Sequence, residues 1–132
     1  MTTYMEQELR SQPEVWTRAI DEARSRRGSE PLAAKGLRVA VIGCGTSWFM
    51  AQSWAKAREG AGQGLTDAFS ASEADLELRL NDYDLLVAIT RSGTTTEVLE
   101  VLTQLKGKIA TVALIGDPDT PIVTIADRIV AL

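Results

Sequence analysis

Two short segments of this 132-residue chain combine glycines with hydroxyl side chains, a combination suited to holding an anion. Segment 43–47 reads Gly-Cys-Gly-Thr-Ser, and segment 90–95 reads Thr-Arg-Ser-Gly-Thr-Thr. Glycines let the backbone approach a ligand closely, and the first N–H groups of a helix attract negative charge. These segments therefore supply our candidate binding residues for a phosphate or for sugar hydroxyls: Gly45, Thr46, Ser47, Thr90, Arg91, Ser92, Gly93, Thr94 and Thr95.

Structural roles compete with this interpretation at several positions. Thr46 or Ser47 could simply cap its own helix. Glu97 lies three residues after Thr94, a spacing that favours a capping box over contact with a substrate. Arg91 could bind an anion or pair with an acid across a subunit contact. Cys44 sits at a helix start, where a thiolate is stabilised, but the chain has no histidine to act as its base, which favours a bystander role.

Nucleotide and metal chemistry are poorly supported by the same residues. Gly43 and Gly45 match two glycines of a dinucleotide fingerprint, but Trp48 occupies the third position, where a bulky ring would obstruct close helix packing. No Gly-Lys-Ser/Thr follows, so the segment is not a P-loop. With one cysteine and no histidine, we expect no metal site and no cofactor.

The composition is that of an ordinary globular domain. The net charge is −4, and acids and bases are interspersed except in segment 24–27, which holds three arginines. This basic cluster is better explained as the solvated end of a helix than as a phosphate contact. We expect no nucleic-acid partner and no membrane partner, since no apolar run approaches the roughly 20 residues of a bilayer span. The polar N-terminus is unlike a signal peptide, which favours a cytoplasmic location.

The sequence predicts a helical lead-in over residues 1–36 and an α/β domain over residues 37–132. Thr3 with Glu6 and Ser11 with Glu14 fit capping boxes, so we expect two lead-in helices, 3–10 and 13–26. Gly28 should end the second, within a linker of residues 28–36.

Beyond the lead-in, apolar strand patterns alternate with helical ones. The predicted strands are 37–42, 65–70, 85–89, 109–115 and 128–132. The predicted helices are 46–59, 73–80 and 94–106, with a further helical turn inside 117–126. Two apolar helix faces are predicted: Phe49, Met50, Ser53, Trp54 and Ala57 in the first helix, and Val98, Leu99, Val101, Leu102 and Leu105 in the third.

This alternation predicts a three-layer α/β sandwich around a five-stranded parallel sheet. The flavodoxin-like strand order 2-1-3-4-5 reverses direction between the first and third strands, where ligands bind beyond the carboxyl ends. Segments 43–47 and 90–95 follow these two strands. The topology therefore brings the two candidate segments together.

The two segments, taken with Ala71-Ser72-Glu73 after the second strand, resemble the signature loops of the sugar isomerase (SIS) domain family. The likeness is strongest to the isomerase half of glucosamine-6-phosphate synthase and to related phosphosugar isomerases and fructosamine-phosphate deglycases. It runs from about Met5 to the end of the chain. Arg91 stands where the synthase carries glutamine, which favours the shorter relatives.

The resemblance implies that Thr90, Ser92 and Thr95 hold the phosphate of a sugar such as fructose 6-phosphate or glucosamine 6-phosphate. It also implies a homodimer or a tandem second SIS domain. The apolar end at residues 129–132 leaves a sheet edge uncovered, so a partner covers it or, as we favour, the natural chain is longer and this is its first SIS domain.

Whether the chain is an enzyme is left open by the sequence. Isomerisation needs a base, and the synthase-like relatives take theirs from the second domain. Glu73 is the better catalytic candidate here. The alternative is a SIS module that senses a sugar phosphate without chemistry.

Overall fold

The computed structural model describes residues 1–26 and 31–132, which form two units, Met1–Pro31 and Leu32–Leu132. The first unit contains one helix, α1, Tyr4–Arg26. Its start confirms the first predicted capping box, since Thr3 N donates to Glu6 Oε2 at 2.9 Å and Glu6 N donates to Thr3 Oγ1 at 3.2 Å. Gly28, the residue predicted to end the second lead-in helix, lies outside the described residues.

The predicted break between two lead-in helices is wrong, because α1 runs continuously through Pro13. Ser11 forms no second capping box; its hydroxyl instead donates to the carbonyl of Glu8 at 2.9 Å. Proline lacks the N–H that a helix interior uses, so it costs one hydrogen bond without necessarily ending the helix. Proline therefore occurs both in the first turn of a helix and, less often, in its interior. The sequence around Pro13 does not show which of the two applies.

The second unit alternates strands with helices or short 3₁₀ turns. Its elements are β1 Val39–Gly43, α2 Thr46–Gly60, β2 Thr66–Ser70, 3₁₀ turns Ala71–Glu73 and Glu77–Asp82, β3 Leu85–Thr90, α3 Thr96–Leu105, β4 Ala110–Ile115, a 3₁₀ turn Pro121–Thr124, and β5 Arg128–Ala131. The helix predicted over residues 73–80 is therefore wrong. The connection holds two short 3₁₀ turns, the second of them kinked at Arg79.

The five strands form one parallel sheet in the order β2-β1-β3-β4-β5, which confirms the predicted topology. At the amino end of the sheet, Arg38 and Asp84 pair just before β1 and β3. Arg38 donates from its backbone N to Asp84 Oδ2 at 2.8 Å, and from its guanidinium to Asp84 Oδ1 at 3.0 Å. The pair links the segments that lead into β1 and β3.

The sheet buries a separate apolar cluster on each face. Alternate residues of β1 point to opposite sides, so Val39 and Val41 pack with α2, whereas Ala40 and Ile42 pack with α3. The predicted α3 face is confirmed, with Val98, Val101, Leu102 and Leu105 buried and Leu99 partly buried.

The predicted inner face of α2 is wrong except at Trp54, which is partly buried against the apolar cluster on that side of the sheet. The buried residues of this helix are Ala51, Ala55 and Arg58, whereas Phe49 and Met50 are 56% and 53% exposed. Small alanines let the helix approach the sheet closely, and the side chains of Phe49 and Met50 are turned outward.

Arg58 is a buried charge held by backbone carbonyls. It is 5% exposed, and its guanidinium donates to the carbonyls of Ala34 at 2.8 Å and Leu37 at 3.0 Å, and to Thr66 Oγ1 at 2.7 Å. Burial lowers the pKa of this guanidinium from its ordinary value. These contacts join the end of α2 to the segments that lead into β1 and β2.

Candidate functional site

A cleft of 630 Å³ opens at the carboxyl end of the sheet, between the loops that follow β1, β3 and β4. Both candidate segments contribute to its wall, as the predicted switch point requires. Its lining residues are Cys44, Thr46, Ser47, Met50, Ile89, Thr90, Arg91, Leu114, Ile115, Gly116 and Leu132. The cleft therefore has a partly apolar wall with hydroxyl groups on two of its loops.

The loop after β3 gathers its hydroxyl groups into one cluster. Thr90 Oγ1 lies 3.2 Å from Thr95 Oγ1, and Ser92 Oγ lies 3.4 Å from the same Thr95 oxygen. Thr90 is only 3% exposed, and its hydroxyl also accepts the N–H of Gly93 at 3.3 Å. Thr90 thus forms the base of the cluster and lines the cleft, whereas the more accessible Ser92 and Thr95 lie next to the cleft and are not part of its lining.

The helix that follows this cluster begins without a side-chain cap. Thr95 is the N-cap residue of α3, and its side chain makes no capping bond. The capping box predicted between Thr94 and Glu97 is therefore wrong, because the helix starts one residue later than that pairing needs. The first-turn N–H groups of α3 therefore have no side-chain cap, and they lie beside the hydroxyl cluster. Uncapped N–H groups at a helix start attract anions.

The loop after β1 places Thr46 and Ser47 on the opposite side of the cleft. A Cβ on Gly43 would lie 2.6 Å from the carbonyl carbon of Ser47, so only glycine allows β1 to end this close to the first turn of α2. Gly45 is the N-cap residue of α2, and the helix has no side-chain cap. The capping role weighed for Thr46 and Ser47 is thus not observed, and both line the cleft.

Cys44 lies in the loop after β1, next to Ala71 and Ser72 of the segment that follows β2. Burial raises the pKa of its thiol, and the negative charge of Glu97 raises it further, whereas the N–H groups of Ala71 and Ser72 lower it. A raised pKa keeps the thiol protonated and a poor nucleophile, which agrees with a bystander role.

The two carboxylate candidates lie in different places. Glu97 is in the first turn of α3, beside the hydroxyl cluster. Glu73 is exposed at the end of the 3₁₀ turn Ala71–Glu73 and does not line the cleft. Arg91 does line it, and its side chain is exposed. Among residues 1–26 and 31–132, no carboxylate forms an ion pair with Arg91. Arg91 is the only charged side chain among the described residues that line the cleft.

Sequence reasoning did not identify the rest of the cleft wall, which comprises Met50, Ile89, Leu114, Ile115, Gly116 and Leu132. One signal was available for Gly116, because it directly follows β4, whose carboxyl end opens onto the same edge of the sheet. Met50 was predicted to lie on the buried face of α2, and for that reason it was not considered as part of the cleft.

No group of three His, Cys, Asp or Glu side chains within 1–26 and 31–132 is arranged to hold a metal ion. In the same part of the chain, no helix has the length and apolar character needed to cross a membrane.

The fold and the paired loops agree with a family comparison. The model of the SIS domain matches residues 32–132, so the chain belongs to the SIS domain family. The resemblance drawn from the two signature loops is thereby confirmed. No curated protein matches the chain.

Solved structures with the same fold include enzymes and a regulator. Tagatose-6-phosphate ketose/aldose isomerase from Escherichia coli is 24% identical, covers 98% of this chain and 40% of its own, and has a TM-score of 0.70. The sugar isomerase domain of the RpiR transcription factor from Sphaerobacter thermophilus is 17% identical, with 91% and 74% covered and a TM-score of 0.65.

The C-terminal domain of glucosamine-fructose-6-phosphate aminotransferase from Francisella tularensis is 22% identical, with 73% of this chain and 28% of that one covered and a TM-score of 0.60. At such identities the likeness concerns the fold. The chain spans 28% to 32% of the length of the aminotransferase domain and of two further matching structures, a putative phosphosugar isomerase from Bacillus subtilis and a putative sugar binding protein from Salmonella typhimurium.

Proposed function

We propose that this domain binds a phosphorylated sugar as part of a phosphosugar isomerase. The observation that carries the proposal is the cluster formed by Thr90, Ser92 and Thr95 at the uncapped start of α3. Hydroxyl donors and helix N–H groups gathered at the start of one helix suit a phosphate.

In this proposal the phosphate lies against Ser92, Thr95 and the first turn of α3. The Arg91 side chain adds positive charge from the wall of the cleft. The sugar then extends toward Thr46 and Ser47, which can hydrogen bond to its hydroxyls. Fructose 6-phosphate and glucosamine 6-phosphate are the ligands we expect.

Membership of the SIS family and the isomerases among its solved relatives support this assignment. We further propose that a second SIS domain or a second copy of the chain completes the site. The support for this is that the described residues that line the cleft include no acidic side chain.

The binding proposal is tested by recording backbone amide signals of the ¹⁵N-labelled protein during addition of fructose 6-phosphate, and separately of fructose. We expect saturable shifts at residues 92–97 with the phosphorylated sugar alone. Equal shifts with unphosphorylated fructose, or shifts confined to other loops, would overturn the proposal.

A second candidate function is a sensor that binds a sugar phosphate without chemistry. It is favoured by the lack of an acid or histidine in the described wall of the cleft, and a transcription factor is among the solved relatives. Incubation of fructose 6-phosphate with the protein in D₂O separates the two. An isomerase exchanges the carbon-bound proton that moves between adjacent carbons, whereas a sensor leaves it in place.

A further inference from the structure

The loop after β4 contacts the loop after β3 on both sides of Ser92. On one side, Gly116 N donates to the carbonyl of Arg91 at 3.1 Å. On the other side, a Cβ on Gly93 would lie 2.1 Å from Thr120 Oγ1 and 3.0 Å from Thr120 Cβ. The Thr120 side chain therefore fills the space directly against the Gly93 backbone.

Thr120 is itself held firmly in place. It is 9% exposed, and its Oγ1 donates to the carbonyl of Asp117 at 3.0 Å. Its own carbonyl accepts the N–H of Val123 at 3.3 Å, at the start of the following 3₁₀ turn. A side chain fixed at both its hydroxyl and its backbone can serve as a rigid wall for a neighbouring loop.

Gly93 is the point at which that wall affects the hydroxyl cluster. Its φ of 66° lies in the left-handed region, which a residue with a side chain adopts only at a cost. Directly beside it, Thr94 N donates to Ser92 Oγ at 3.2 Å, and Gly93 N donates to Thr90 Oγ1 at 3.3 Å. The turn at Gly93 therefore sets the directions of the Ser92 hydroxyl and of the adjacent N–H groups.

We propose that Thr120 is a positioning residue, which fixes the phosphate-binding loop through Gly93 while lying outside the cleft itself. This inference rests on the proposed function for its effect on sugar-phosphate binding. Its effect on the loop is independent of any ligand.

The test compares Thr120→Ala and Thr120→Ser with a matched control, Thr124→Ala. Thr124 is exposed in the same 3₁₀ turn, and its hydroxyl donates only to the Pro121 carbonyl at 2.9 Å. We expect Thr120→Ala to move the amide signals of Ser92, Gly93 and Thr94 and to weaken fructose 6-phosphate binding about fivefold, the effect of losing roughly one hydrogen bond. Thr120→Ser retains the hydroxyl and should restore most of the affinity.

A double-mutant cycle with Gly93→Ala separates positioning from general stability. The added Cβ meets Thr120 Oγ1, so Gly93→Ala should perturb the loop less when residue 120 is already alanine. The inference would be overturned if the effects of Gly93→Ala and Thr120→Ala were simply additive. It would also be overturned if Thr120→Ala moved the amide signals of the loop no more than the control Thr124→Ala does. The coupling between the two substitutions is measured by thermal unfolding, which needs no ligand. If the unsubstituted chain binds no sugar phosphate, the proposed function fails. The amide signals and the unfolding measurements then still decide whether Thr120 positions the loop.

Discussion

The hydroxyl oxygens of Ser92 and Thr95 lie 3.4 Å apart, across the turn that joins β3 to α3. At this separation, one phosphate oxygen could accept a hydrogen bond from both. Neither hydroxyl is needed to cap α3, since the helix has no side-chain cap. The pair is therefore available to a ligand.

Removing both hydroxyls should weaken binding without unfolding the domain. We expect Ser92→Ala combined with Thr95→Ala to cost about 1–3 kcal/mol of affinity for a hexose phosphate, the worth of hydrogen bonds to a charged group. Calorimetry measures the loss. Thr103→Ala, at an exposed position near the far end of α3, is the matched control and should bind as the unsubstituted chain does. Unchanged affinity in the double variant would locate the phosphate elsewhere.

Gly43 should tolerate no side chain, because a Cβ there would lie 2.6 Å from the Ser47 carbonyl carbon. We expect Gly43→Ala to lower the free energy of unfolding by about 1–3 kcal/mol, as overpacking does. Urea denaturation provides the measurement. A Cβ on Gly60, the last residue of α2, meets nothing within 4 Å, so Gly60→Ala should be neutral or stabilise by up to about 1 kcal/mol. If Gly43→Ala and Gly60→Ala changed the free energy of unfolding equally, the close approach of β1 to α2 would be contradicted.

Arg58 should be essential to stability although it is far from the cleft. Arg58→Met removes the donor shared by the carbonyls of Ala34 and Leu37 and by Thr66. Because buried acceptors left without partners are costly, we expect unfolding to become easier by about 2–4 kcal/mol. Lys56→Met, at an exposed position of the same helix, should change stability little. A mild effect of Arg58→Met would mean that water replaces the guanidinium.

The Arg38–Asp84 pair predicts how stability varies with pH. The hydrogen bonds from Arg38 hold the pKa of Asp84 below its ordinary value. The stabilisation is therefore present above the unfolded-state pKa and is lost as the pH falls through the folded-state pKa. Asp84→Asn should lower stability at neutral pH, and the difference should shrink in acid. Asp75→Asn, at another exposed aspartate, is the comparison. A difference that does not change with pH would contradict this account.

The strand order and the identity of both loops could be predicted from the sequence. Parallel strands buried on both faces appear as short apolar runs, such as Leu85–Thr90, and each candidate loop directly follows one. Chain order and connection geometry then fix where the loops meet. This part of the fold depends on patterns that one sequence displays openly.

The inner face of α2 could not be predicted by hydrophobicity, because packing space decided it. Ala51 and Ala55 face the sheet, whereas Phe49 and Met50 do not fit there. The role of Thr120 was hidden for a related reason. Its contact with Gly93 joins loops 27 residues apart in sequence, and neither residue type alone indicates the other.

The most direct measurement is a calorimetric titration of the chain with fructose 6-phosphate and glucosamine 6-phosphate, beside unphosphorylated fructose. We expect saturable binding that requires the phosphate and that weakens when Ser92 and Thr95 are both changed to alanine. Binding of fructose as strong as that of its phosphate, or phosphate-dependent binding that the double substitution leaves unchanged, would contradict the assignment of the hydroxyl cluster as the phosphate site.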